Sequence, residues 1–116
     1  MPTYKGSSGT PVTMDPVDLD EVFDLAFNWA AQMTADTDTV IASTWTVPTG
    51  MLPGDGSTAI VRDGHTVTPA APTNTTTATL VWLYSTALGT YDVQNTVETA
   101  GGRVWSRSAS IVVTNK

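Results

Sequence analysis

The chain has no cysteine. Neither a disulfide framework nor a thiolate metal site is open to it, and cysteine usage therefore says nothing about its compartment. Charge is also scarce. Only 14% of the 116 residues are Asp, Glu, Lys or Arg, against about a quarter in ordinary soluble domains. Five basic residues stand against eleven acidic ones, for a formal net charge of −6. Nucleic-acid binding depends on clustered Lys and Arg that neutralise phosphates. Scattered cations form no such track, so the composition argues against nucleic acid and against anionic membranes. No apolar run reaches the roughly 20 residues of a membrane-spanning helix. The opening "MPTYKGSSGTPVTMD" has no apolar core of a secretory signal, so the expected product is made in the cytoplasm and keeps its initiator Met.

What is present is a β pattern. The length suits one domain with a sizeable core. Residues 1–14, rich in Gly, Ser, Pro and Thr without periodicity, read as an N-terminal arm, with Tyr4 and Met14 as candidate anchors on a neighbour. Residues 15–116 read as a single all-β domain. Within it, 15–33 is ambiguous. As a helix, Asp15 would cap it and Leu19, Val22, Phe23, Ala26, Phe27 and Ala30 would form its apolar stripe. As a strand, Phe23, Leu25, Phe27 and Trp29 alternate with Asp24, Ala26 and Asn28. A strand over 22–30 is expected, because the sheet that follows needs a first partner.

Strands are then expected at 39–48, around Trp45, at 58–63 with a hairpin return at 64–69, and at 77–85. The run "TATLVWLYS" is nearly continuous in apolar residues, so it should be central and buried on both faces. Segments 50–57 and 70–76 read as loops. The last pair, 90–99 and 103–114, should form a hairpin through "AGG". Six or seven antiparallel strands at short spacing predict an immunoglobulin-like β-sandwich. "GTYDV" fits the tyrosine corner of such folds, with Tyr91 after a turn and inward Val93 two residues on. Phe27, Trp29, Trp45, Trp82, Tyr91 and Val93 are the predicted core.

Chemistry is hard to find. The one histidine, His65 in "RDGHTV", sits in a turn beside Asp63, and no serine has the G-x-S-x-G context of a nucleophile elbow. Asp15, Asp18, Asp20, Glu21 and Asp24, with Asp36 and Asp38, read as a solvated acidic face, since "DPVDLDE" lacks the glycine turn of a calcium loop. The sequon "NTT" at 74–76 is read as chance in a chain without a signal peptide. Gly101-Gly102 closes a hairpin and opens no helix that would hold a phosphate. The expectation is no enzyme, no cofactor and no metal. Trp105 shares strand parity with Arg107, Ala109, Ile111 and Val113. An arginine on the core parity suggests a bulge, or a strand end projecting past the domain. Arg103, Trp105 and Arg107 are therefore candidate interface residues, Trp and Arg being enriched at binding hot spots. Sugar binding through an exposed tryptophan is the competing reading.

The pieces "DEVFDLAFNWAAQ", "DTVIASTWTVPTGM", "TATLVWLYSTALGTYDVQNTVETAGGR" and "RSASIVV", in this order, resemble a family of small tailed-bacteriophage virion proteins described as fibre-tail adaptors. The resemblance covers about residues 15–113. Asn28-Trp29 stands where Asp-Trp is common, and "TALGTY" replaces "GTAGTY". The 49–76 segment is longer and richer in proline than the family pattern. The resemblance implies an Ig-like fold, the strand at 22–30, and a non-enzymatic virion protein in a symmetric homo-oligomer. Its partners would be other phage virion proteins, of the portal or neck, the tail or fibre, or the capsid. A capsid decoration protein and a carbohydrate-binding adhesion module remain the alternatives.

Overall fold

The computed structural model describes residues 12–13 and 16–115. Its strands are β1 (Val12–Thr13), β2 (Val17–Asp18), β3 (Val22–Asn28), β4 (Val40–Thr46), β5 (Met51–Pro53), β6 (Ile60–Arg62), β7 (His65–Val67), β8 (Thr73–Asn74), β9 (Ala78–Ser85), β10 (Gly89–Thr99) and β11 (Val104–Thr114), with one helix, α1 (Ala30–Asp36). The protein is mostly β, as its alternating pattern predicts.

Two sheets share one core. In the first, the order is β1-β11-β10-β4, with β2 also on β11. The β10–β11 hairpin pairs without a break from Gly89↔Val113 to Glu98↔Val104. β1 and β2 both run parallel to β11, at Ala109–Ser110 and Val113–Thr114. In the second sheet β9 pairs with β3 on one side, and β5 and β8 each add to β9. Alternation turns one face of each long strand inward. Leu25 and Phe27 of β3 and Val81 and Leu83 of β9 meet Val93, Val97, Trp105, Ala109 and Ile111 of the first sheet in a single buried cluster. Each such aliphatic side chain contributes about 1.5–3 kcal/mol by leaving water.

Three expectations need correction. The strand at 22–30 ends at Asn28, and α1 begins at Ala30. Its Ala-Ala-Gln-Met start favours a helix, the Asn28 side chain accepts the Ala30 N–H at 2.9 Å, and Met33 anchors the turn in the core. The helix stops at Thr37, which is left-handed (φ 52°) and donates its N–H back to the Met33 and Thr34 carbonyls. Next, the segments 50–57 and 70–76 are not wholly loop, because β5 and β8 lie in them. These strands of two or three residues form only because β9 offers a sheet edge. Finally, β9 is closed on its core face, but Ala78, Leu80 and Trp82 on the other face are only half-buried. Trp82 therefore lies outside the core predicted for it.

What half-covers that outer face is the β6–β7 sheet. Arg62 of β6 donates to the Ser85 carbonyl at 3.1 Å and lies over the Tyr84 ring. Val67 and Pro69 face Val22 and Trp82 across a shallow groove. The hairpin turns through Asp63 and Gly64, both at positive φ (50° and 76°). That is the geometry Asp-Gly supplies in a two-residue hairpin loop.

Candidate protein interface

A polar knot ties the two sheets together. Asn95 of β10 is fully buried. Its Oδ1 accepts from the Trp29 indole at 3.1 Å and from the Thr79 hydroxyl at 2.7 Å. Its Nδ2 donates to the Ser43 hydroxyl at 2.9 Å and to the Thr44 carbonyl at 3.1 Å. Two donors on one side and a carbonyl on the other fit a single orientation of the amide. A buried amide satisfied this fully fixes the relative placement of β3, β4, β9 and β10.

At the hairpin end, Asp38 holds the turn after α1 against β10–β11. Its Oδ1 accepts the N–H of Thr39 at 2.9 Å and of Gly101 at 2.8 Å, and its Oδ2 meets Arg103 Nη1 at 2.9 Å. The Thr99 hydroxyl, these backbone N–H groups and the Arg103 guanidinium hold the Asp38 carboxyl at a pKa of about 2 against the burial that opposes them. Arg103 also reaches Asp36, at 3.6 Å.

The other end has a tyrosine corner. The Tyr91 hydroxyl donates to the Ala87 carbonyl at 2.7 Å. Gly50, at φ 101°, packs against its ring so closely that a Cβ there would lie 2.6 Å from the hydroxyl oxygen.

The candidate interface residues fall into two groups. Tyr4 and Met14 lie outside the described residues. Arg103, Trp105 and Arg107 are all engaged internally. Trp105 is only 3% exposed and belongs to the core. Arg107 stacks on Trp29 with its guanidinium carbon 4.2 Å from the ring centroid, and donates to the Asn28 carbonyl at 2.8 Å. The β10–β11 pairing shows no bulge, and Arg107 sits directly opposite Asn95. An arginine occupies the inward parity because the interior itself is polar at that level. Of the predicted core, Phe27, Trp29, Tyr91 and Val93 are buried. Trp45 is half-buried and stacks on Phe27 with centroids 5.7 Å apart.

A different patch carries the exposed apolar surface. β4 has a bulge: Glu98 pairs with Ala42 and Thr99 with Val40, so Ile41 has no partner on β10. Ile41 is 62% exposed and Val104 54%. The two line a groove of about 370 Å³ with Glu98, Thr99, Gly102 and Arg103. Above it the outer face of the sheet is a field of short hydroxyl side chains, with Thr44, Thr96 and Ser106 in one cross-strand row. His65 is not in the turn expected for it but begins β7, paired with Arg62 and exposed, and its side chain has no hydrogen bond or ion pair among the described residues. No group of three His, Cys, Asp or Glu side chains that could hold a metal ion occurs among the described residues.

A family model described as Podophage GP4 fiber-tail adaptor protein gp77 matches residues 18–112. The chain belongs to this family. Neither a curated protein nor a solved structure gives a significant match. The gp77 adaptor match runs from the end of β2 to near the end of β11 and takes in the polar knot and the β6–β7 hairpin, while β1 lies before it. Asn95 is the residue whose role sequence reasoning missed, although its place on the parity of Tyr91, Val93 and Val97 signals a buried polar group.

Proposed function

We propose that this protein is a non-enzymatic structural component of a phage virion, seated at the neck or tail, where it holds fibre or tail components to the particle. The family match over residues 18–112 carries this reading. The fold is an immunoglobulin-like sandwich. Three features support it: the order β3-β9-β5 in one sheet, the order β4-β10-β11 in the other with the N-terminal strands parallel on β11, and the Tyr91 corner. Such a module does no chemistry. It holds a rigid surface in place, and a symmetric ring of copies multiplies weak contacts into lasting attachment. Its neighbours are other virion proteins, and it resides in the assembled particle.

Quantitative mass spectrometry of purified particles, counting this chain against the major capsid protein, tests the proposal. Roughly six to twenty-four copies per particle fit a cyclic ring at the neck or tail. A ratio near one per capsid subunit makes it a decoration protein and sinks the adaptor reading. Absence from particles removes the virion role altogether.

A further inference from the structure

The chemistry of the exposed surface constrains the partner. Of the five cations in the sequence, Lys5 and Lys116 lie outside the described residues, and the other three are Arg62, Arg103 and Arg107. Each of these three is tied inward: Arg62 to Ser85 and the Tyr84 ring, Arg103 to Asp38 and Asp36, Arg107 to Asn28 and Trp29. The outer face of the β4-β10-β11 sheet carries the exposed carboxylates Asp92 and Glu98 and, among the described residues, no cation. Between them on β10 lie Gln94 and Thr96, flanked by Thr44 and Thr46 of β4 and Ser106 and Ser108 of β11, and the short hydroxyl side chains among these lose little rotamer freedom on docking.

Glu98 stands apart from the other acids. Its cross-strand neighbours are Val104 and Ala42, and exposed Ile41 bulges out beside it. Its side chain makes no hydrogen bond or ion pair among the described residues. A carboxylate between two exposed aliphatic side chains matches one kind of visitor. A Lys or Arg has an apolar stem to lay along Ile41 and Val104 and a cationic head to reach the acid. Arg103 also lines the groove, but its guanidinium is held by Asp36 and Asp38, which leaves the Glu98 carboxylate to meet a visiting cation.

The geometry points to this groove as a docking site for a basic side chain of a different virion protein, received at Glu98 between Ile41 and Val104. The inference rests on the adaptor reading above and adds the partner's chemistry to it. Two copies meeting through this face would oppose like charges, which disfavours a second copy as the occupant.

The test is complementation. Phage lacking the gene are grown with the parent chain, Glu98→Lys, Glu98→Gln or, as a control on the distant turn, Asp63→Lys, and copies per particle are counted. The thermal midpoint and the oligomeric state of each free protein are measured alongside. The expected result is a tenfold or greater loss of incorporation for Glu98→Lys, a several-fold loss for Glu98→Gln, parental incorporation for Asp63→Lys, and unchanged melting of both Glu98 variants. Parental incorporation of Glu98→Lys overturns the inference and leaves the adaptor reading standing. A Glu98→Lys variant that is lost from particles and also changes the oligomeric state of the free protein overturns it as well, because the face would then join copies of this chain. Absence of the parent chain from particles overturns the adaptor reading and this inference with it.

Discussion

The Arg107 guanidinium stacks on the Trp29 ring, 4.2 Å from its centroid, at the point where β3 gives way to α1. The same guanidinium donates to the Asn28 carbonyl, so one side chain of β11 closes the end of a strand in the other sheet. A cation over an indole is worth about 0.5–2 kcal/mol. The planar fork that stacks and donates at once is specific to arginine. Arg107→Ala should lower stability by about 1–2 kcal/mol, and Arg107→Lys should recover less than half of that loss in urea unfolding. Full recovery by lysine would reduce the contact to simple charge.

Removal of Asn95 should cost more. Asn95→Ala leaves the Trp29 indole N–H and the Thr79 hydroxyl without their acceptor inside the protein. The expected loss is about 2–4 kcal/mol, the range for buried donors left unpaired together with lost packing. Asn95→Asp keeps the acceptor but sets a second oxygen against the Thr44 carbonyl, where the amide now donates. It should be no better than alanine at neutral pH. An Asn95→Asp protein as stable as the parent would mean that the knot tolerates a buried charge, contrary to its geometry.

These two residues also show where the sequence is legible. Strict alternation gives the β10–β11 hairpin nearly to the residue, and the same parity correctly turns Arg107 inward. Parity does not show that Asn95 lies opposite Arg107. That depends on register, and without it an inward arginine suggests a bulge or an overhang. The real bulge falls elsewhere, at Ile41, where nothing in "TVIASTW" marks it. It arises from how β4 meets β10. The short strands β5 and β8 are illegible for the same reason, since their pairing is dictated by β9. Helix α1 is hidden because a strong strand pattern runs directly into it, and the switch rests on the Asn28 side chain accepting the Ala30 N–H and on Met33 reaching the core, neither of which alternation shows.

Gly50 and Tyr91 form a second pair open to test. Tyr91→Phe removes the hydrogen bond to Ala87 and should cost about 1 kcal/mol. Gly50→Ala should cost more, about 2–3 kcal/mol, because it adds a residue at positive φ and a methyl inside the Tyr91 ring's space. Thermal unfolding of the two variants should rank them in that order. The reverse order would mean that the corner rests on the hydroxyl and not on the fit of ring to glycine.

Asp38 makes the protein sensitive to acid. Its folded pKa is about 2, against an ordinary 3.8, so the folded state holds the carboxylate more firmly ionised than the unfolded chain does. The resulting stabilisation is fully present above about pH 4 and is lost as the pH falls towards 2. Asp55, held at about 2 by the Thr58 hydroxyl and the Ser57 and Thr58 N–H groups, adds a contribution of the same sign in the loop before β6. Asp38→Asn should therefore be less stable than the parent at pH 7. Its urea midpoint should fall less steeply between pH 4 and 2, leaving the slope that Asp55 contributes. Asp38→Asn combined with Asp55→Asn should flatten that interval further. If Asp38→Asn loses stability with acid as steeply as the parent, the clamp on Arg103 and Gly101 does not couple to folding. The steepness would then have to come from carboxylates other than Asp38.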